Sequence, residues 1–133
     1  MAFNKEKQAV VILAAGLGKR MKSGKAKVLH EILGKPMIMY VVETANRIAG
    51  NNVVLVIGNQ ADKVREMVSE SAEVIFALQK DQLGTGHAVS CALPYLPDHT
   101  QEVVVFCGDV PLLTFETVMR LIKDHVKDRK SDV

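Results

Sequence analysis

Apolar residues fall along this chain in two rhythms. Residues 9–14, 53–57, 74–77 and 103–107 are apolar at every position. Runs without alternation predict strands buried on both faces, as in a parallel sheet. Between them the apolar positions recur at helical spacing. Ile38, Val41, Val42, Ala45 and Ile48 make one face of a helix. Pro36 opens that helix at its first turn, where a missing N–H does no harm, and Gly50-Asn51-Asn52 stops it. Val64, Met67 and Val68 mark a short helix over residues 61–69, and residues 86–93 form another that ends at Pro94. Thr114 caps a last helix, with Leu113 and Val118 spaced for a hydrophobic staple and Phe115, Val118, Leu121 and Ile122 as its inner face. Strands alternating with helices predict an α/β fold with a mostly parallel sheet flanked by helices.

Composition narrows the functions available. The 133 residues, 48% of them hydrophobic, suit one domain or a large piece of one. Repeats, low-complexity tracts and linkers are absent, and residues 127–132 are polar, like a loop leading into a further strand. A domain truncated at its carboxyl side is therefore expected. Seventeen basic and fifteen acidic residues give a net charge of +2, too even for broad attraction to nucleic acid or to an anionic membrane. No stretch approaches the ~20 apolar residues of a membrane span, and the first apolar run is too short for a secretory core. Cys91 and Cys107 both sit in apolar surroundings and read as reduced core residues, and the expected location is the cytoplasm.

The chemistry begins where the first strand ends. Leu13-Ala14-Ala15 leads into Gly16-Leu17-Gly18-Lys19-Arg20-Met21, and Lys22, Lys25 and Lys27 follow. Glycines after a buried strand let backbone N–H groups approach an anion. Arg20 offers a planar fork for two phosphate oxygens, and Lys27 a mobile point charge. A bare glycine turn with solvated lysines is the ordinary reading of a GxG pattern alone. The basic residues beside the two glycines favour a phosphate site instead. No GxGxxG and no Walker-type GKT or GKS is present, which disfavours a dinucleotide site or a P-loop.

The stretch LAAGLGKRMKSGKAKVLHEILGKPM resembles the signature of the nucleotidyltransferases that activate sugar phosphates, with Lys19 where threonine is usual and Ala26 where proline is usual. Two further segments are similar to parts of the bacterial N-acetylglucosamine-1-phosphate uridyltransferases. Gln79-Lys80-Asp81-Gln82-Leu83-Gly84-Thr85-Gly86-His87-Ala88 is similar to their uracil-binding segment. Gly108-Asp109-Val110-Pro111-Leu112 is similar to their metal-binding turn, with Cys107 in place of an aromatic residue. The three segments occur in the family's order and cover nearly the whole chain.

The resemblance implies a Rossmann-like, glycosyltransferase-A-like fold, with residues 1–133 forming the nucleotide-binding portion of the domain, before its sugar-binding half. It implies uridylyl transfer from UTP to N-acetylglucosamine 1-phosphate, giving UDP-N-acetylglucosamine and pyrophosphate. Arg20 and Lys27 would be the catalytic pair. Leu13, Ala14, Ala15, Gly16, Gly18, Arg20, Lys27, Gln79, Gly84 and Thr85 would hold the nucleotide, and Asp109 would ligate Mg²⁺. A side-chain amide at position 79 can both donate and accept on a base edge. His87, at a helix start, reads as a cap or packing residue rather than an acid or base. Two alternatives stay open: a nucleotide-binding fragment without turnover, and a nucleotidyltransferase for another base or sugar phosphate. Homo-oligomerisation is also open.

Overall fold

The computed structural model describes residues 7–15, 27–58, 60–110 and 113–128. Its centre is β1 (Gln8–Leu13), in which residues 8 to 12 are buried. β4 (Val53–Ile57) pairs with it in parallel, Val10 opposite Val53 and Leu13 opposite Val56. β5 (Ile75–Leu78) joins the far side of β4, and β6 (Glu102–Cys107) joins the free side of β1 with Gln8 opposite Glu102 and Leu13 opposite Cys107. The order is β5-β4-β1-β6, with every pairing parallel. A hairpin of two-residue strands, β2 (Glu31–Ile32) and β3 (Lys35–Pro36), stands apart. Leu33 (φ 54°) and Gly34 (φ 80°), both left-handed, make its turn.

Among the described residues four helices cover the sheet unequally. On one face lie α1 (Met37–Ala49), α2 (Ala61–Ser69) and α4 (Phe115–Asp128). Their apolar sides meet Val10, Ile12, Ala14, Val53, Leu55, Ile57 and Phe106. The anticipated face of α1 is buried throughout, from Ile38 to Ile48. A helix of this length is marginal in isolation, so that burial is what holds it. Arg47 of α1 stacks over the Phe115 ring at 4.1 Å and ties in α4. The opposite face carries α3 (Thr85–Ala92) alone among the described helices. α3 is short and made of weak helix formers, but Ala88 and Ala92 fall one turn apart and are small. They let the helix lie close on Val11, Val54, Val56 and Ala77.

Several expectations shift by a residue or more. β1, β5 and β6 run over 8–13, 75–78 and 102–107, and α3 starts at Thr85 and gives way to a 3-10 turn over Leu93–Tyr95. Pro36 caps α1 from outside rather than entering it. In α4, Val118 and Ile122 are buried but Leu121 is 43% exposed; Met119 and Val126 pack inward with them instead. Cys107 is exposed and Cys91 half-buried, both free thiols, so Cys107 is not a core residue. Among the described residues α3 packs mainly on β4 and β1, and Val105 and Cys107 of the edge strand β6 are exposed. No helix among the described residues is long and apolar enough to cross a membrane.

Candidate functional site

The chain leaves β1 towards β4 and β5 on one side and returns to β6 on the other. Such a reversal opens a crevice beyond the carboxyl ends of the strands, where ligands of open parallel sheets bind. Leu13, Ala14 and Ala15 stand at that end of β1. Leu13 closes the strand and accepts the Gly108 N–H at 2.9 Å, and the Ala14 N–H donates to the Val56 carbonyl at 2.9 Å. Ala14 packs with the larger apolar core and Ala15 with the smaller, so the chain just past β1 is clamped from both faces of the sheet. Gly16, Gly18 and Arg20 lie outside the described residues. Lys27 opens a 3-10 turn over Lys27–Leu29, and its side chain lies outside the description.

Gln79 follows β5 directly, with its N–H donating to the Ile57 carbonyl at 2.8 Å. It is 3% exposed, one of the few buried polar residues, and so is not a solvated strand-end side chain. Its Nε2 lies 2.9 Å from His87 Nδ1 and 3.4 Å from the Gly84 carbonyl oxygen. Gly84 precedes α3 at φ 101°, backbone that a side chain would strain, and its carbonyl also accepts the Ala88 N–H. Thr85 begins α3, whose first N–H groups have no side-chain cap. Gly84 and Thr85 are both exposed, at the rim above buried Gln79.

Two members of this end were not singled out from sequence. A Cβ on Gly58 would stand 2.8 Å from the Gln79 carbonyl oxygen, 2.9 Å from Gln82 Nε2 and 3.0 Å from the Ala15 Cβ. Gly58 is therefore the point where β1, β4 and β5 converge, and a glycine closing a strand carries no sequence signal of such crowding. Sequence alone makes His87 a cap or packing residue; in the structure it hydrogen-bonds the Gln79 amide, a contact that depends on how residues 80–84 fold back.

Asp109 lies in the turn directly after β6, half-buried. Gly108 before it fits tightly: a Cβ there would meet Ile38 and Val28 at 3.2 Å and Ala14 at 3.3 Å. Gln79 and Asp109 thus follow opposite edge strands, three strand spacings or about 14 Å apart, with the end of β1 between them. One ligand reaching both must be elongated and cross the ends of β4 and β1. No group of three or more His, Cys, Asp or Glu side chains among the described residues is placed to hold a metal. Mg²⁺ commonly takes one or two carboxylates and completes its shell with phosphate oxygens and water. Asp109 suits that ion as a partner to a phosphorylated ligand rather than as a closed site. The open apolar groove between β6 and α4, lined by Val103, Val105, Leu113, Val118 and Leu121, lies along the sheet edge and lacks this polar convergence.

Known proteins share much of this sequence and its fold. The bifunctional protein GlmU of Geotalea uraniireducens is 48% identical over 117 residues, which are 88% of this chain and 26% of that protein. The chain thus spans about a quarter of the length of the curated relatives it matches. Among solved structures, a CMP:2-keto-3-deoxy-manno-octonic acid synthetase in complex with CTP superposes with a TM-score of 0.72 at 25% identity, covering 93% of this chain and 49% of that one. A nucleotidyl transferase from Methanothermobacter thermautotroptrophicus superposes at 0.76 with 19% identity, covering 88% and 57%, a likeness of fold. The parallel sheet flanked by helices is the Rossmann-like architecture of these nucleotidyltransferases. The MobA-like NTP transferase domain profile matches residues 10–133, and the chain belongs to that family of nucleotidyl-transferring proteins.

Proposed function

We propose that this chain is the nucleotide-binding portion of an enzyme that transfers a uridylyl group from UTP to N-acetylglucosamine 1-phosphate. One observation carries the reading furthest: a buried side-chain amide, Gln79, stands beside Gly84 at the same end of the sheet as Ala14 and Ala15. That is where a base reader is needed if phosphates sit on the loop after β1. The likeness to GlmU proteins and the family's nucleotidyl transfer support it.

In this reading a phosphate oxygen of the sugar phosphate attacks the α-phosphorus of UTP. The bond to the bridging oxygen breaks, and pyrophosphate leaves in line with its electron pair. The nucleophile is already an anion, so the protein needs only to position the two substrates and neutralise charge. Lys27 would steady the α-phosphate, Arg20 the departing pyrophosphate, and Gln79, Gly84 and Thr85 would hold the base. Asp109 would hold Mg²⁺, which supplies further charge neutralisation on the phosphates.

The test is pyrophosphate release with UTP, Mg²⁺ and N-acetylglucosamine 1-phosphate, together with calorimetric binding of UTP, CTP, GTP and ATP. UTP should bind best. Equal affinity for all four would replace this reading with transfer of another nucleotide. A second reading, nucleotide binding without turnover by these 133 residues, is favoured by their covering only 26% of the relative. UTP binding without pyrophosphate release would select it.

A further inference from the structure

We propose that His87 sets which base the site accepts, by fixing the Gln79 amide so that it meets a base only as a hydrogen-bond acceptor. The proposal rests on the uridylyl reading above and names the residue behind its specificity.

The argument starts from the Gly84 carbonyl. That oxygen has lone pairs and no proton, so the end of the amide facing it at 3.4 Å must be the NH₂ group. The same NH₂ lies 2.9 Å from His87 Nδ1, which must then accept. A neutral imidazole accepting at Nδ1 carries its proton on Nε2. His87 Nε2 in turn stands 3.9 Å from the sulfur of Cys91, one turn further along α3, a weak acceptor for that proton. Carbonyl, amide, imidazole and thiol thus agree on one arrangement of protons. Both amide protons of Gln79 are committed inside the protein, which leaves Oε1 to meet a ligand.

An acceptor there discriminates between pyrimidines. Uracil presents an N–H at ring position 3, flanked by two carbonyls. Cytosine presents a lone pair at that position, beside an amino group. Oε1 receives the uracil N–H and repels the cytosine lone pair. Without His87 the amide keeps only the longer bond to Gly84. The terminal torsion of glutamine is broad and roughly two-fold, so the amide then turns over readily and offers its NH₂ to either base. His87 is thus a positioning residue that acts through Gln79.

The experiment measures UTP and CTP affinities calorimetrically, with Mg²⁺, for the wild-type chain, His87→Ala and His87→Asp. The Asp carboxylate can only accept, reaches about as far as Nδ1, and is welcome near a helix amino terminus. Wild type should favour UTP. His87→Ala should lower the UTP-to-CTP affinity ratio about tenfold, the upper end of the net worth of one neutral hydrogen bond, and His87→Asp should restore most of it. A packing role alone would weaken both nucleotides together and leave the ratio unchanged. Equal UTP and CTP affinity in wild type would overturn the uridylyl reading. A wild-type preference that survives His87→Ala, or that His87→Asp fails to restore in a chain with wild-type circular dichroism, would overturn the role of His87 alone.

Discussion

Gly58 and Gln79 approach so closely that a methyl group on the first would press on the carbonyl oxygen of the second at 2.8 Å. Two further neighbours, Gln82 Nε2 and the Ala15 Cβ, hem in the same point at 2.9 and 3.0 Å. Backbone cannot yield as a side chain does. Gly58→Ala should therefore displace the segment that carries Gln79. Overpacking of this kind typically costs about 1–3 kcal/mol. UTP affinity should fall more than global stability, because the strain is lodged at the site. Calorimetric titration beside urea unfolding separates the two, and unchanged UTP affinity would mean that Gln79 does not read the base.

The glycine- and lysine-rich segment that follows β1 in sequence supplies the charges in the proposed function. Lys27→Ala should weaken UTP binding by about ten- to a hundredfold, the range expected for one charge-assisted contact. Arg20→Lys keeps the charge but loses the fork, so it should cost less than Arg20→Ala and still be measurable. Titrations at several salt concentrations provide the check. UTP affinity indifferent to Lys27→Ala would remove that residue from the phosphate site.

Asp109 offers a prediction through metal removal. In wild type, Mg²⁺ should tighten UTP binding and chelation should abolish the gain. In Asp109→Asn the gain should shrink severalfold, since a neutral amide is a poorer ligand for a hard cation. With chelator present the two proteins should bind UTP alike. A full Mg²⁺ response in the variant would place the ion elsewhere.

A fourth prediction concerns the fold itself. The Thr114 hydroxyl accepts the Thr117 N–H at 3.2 Å and so caps α4, as expected from the sequence. Thr114→Ala should destabilise the chain by about 1 kcal/mol, the usual worth of an amino-terminal cap. Urea unfolding reads this directly, and nucleotide selectivity should not move.

Much of the architecture was legible because a parallel sheet writes a simple pattern. β4 and α2 fall on the anticipated residues, since Val53–Ile57 is apolar throughout and Gly58 closes it. The hairpin over residues 31–36 was not legible: two-residue strands have no period, and its turn relies on Leu33, a residue that seldom adopts a left-handed backbone. The exposure of Cys107 was hidden for another reason. Five consecutive apolar residues suggest cover on both faces, but which strand lies beneath α3 is decided by topology rather than by local pattern. At the site, the sequence pointed to Gln79 through its motif. The contact from His87 to that amide depends on the fold of the intervening segment, which no spacing rule encodes.

The unequal covering of the two faces has a consequence in time. Among the described residues the larger core is closed by three helices and the smaller by α3, whose buried contribution is two alanines. A layer that buries so little opens at a lower free energy than the sheet beneath it. Amide hydrogens of Thr85–Ala92 should therefore exchange with solvent well before those of β1 and β4. A nucleotide gripping Gln79 and the start of α3 would close that local opening. Exchange in this one helix would then slow on occupancy while the rest of the molecule stayed nearly silent, which makes α3 a built-in reporter of whether the site is filled.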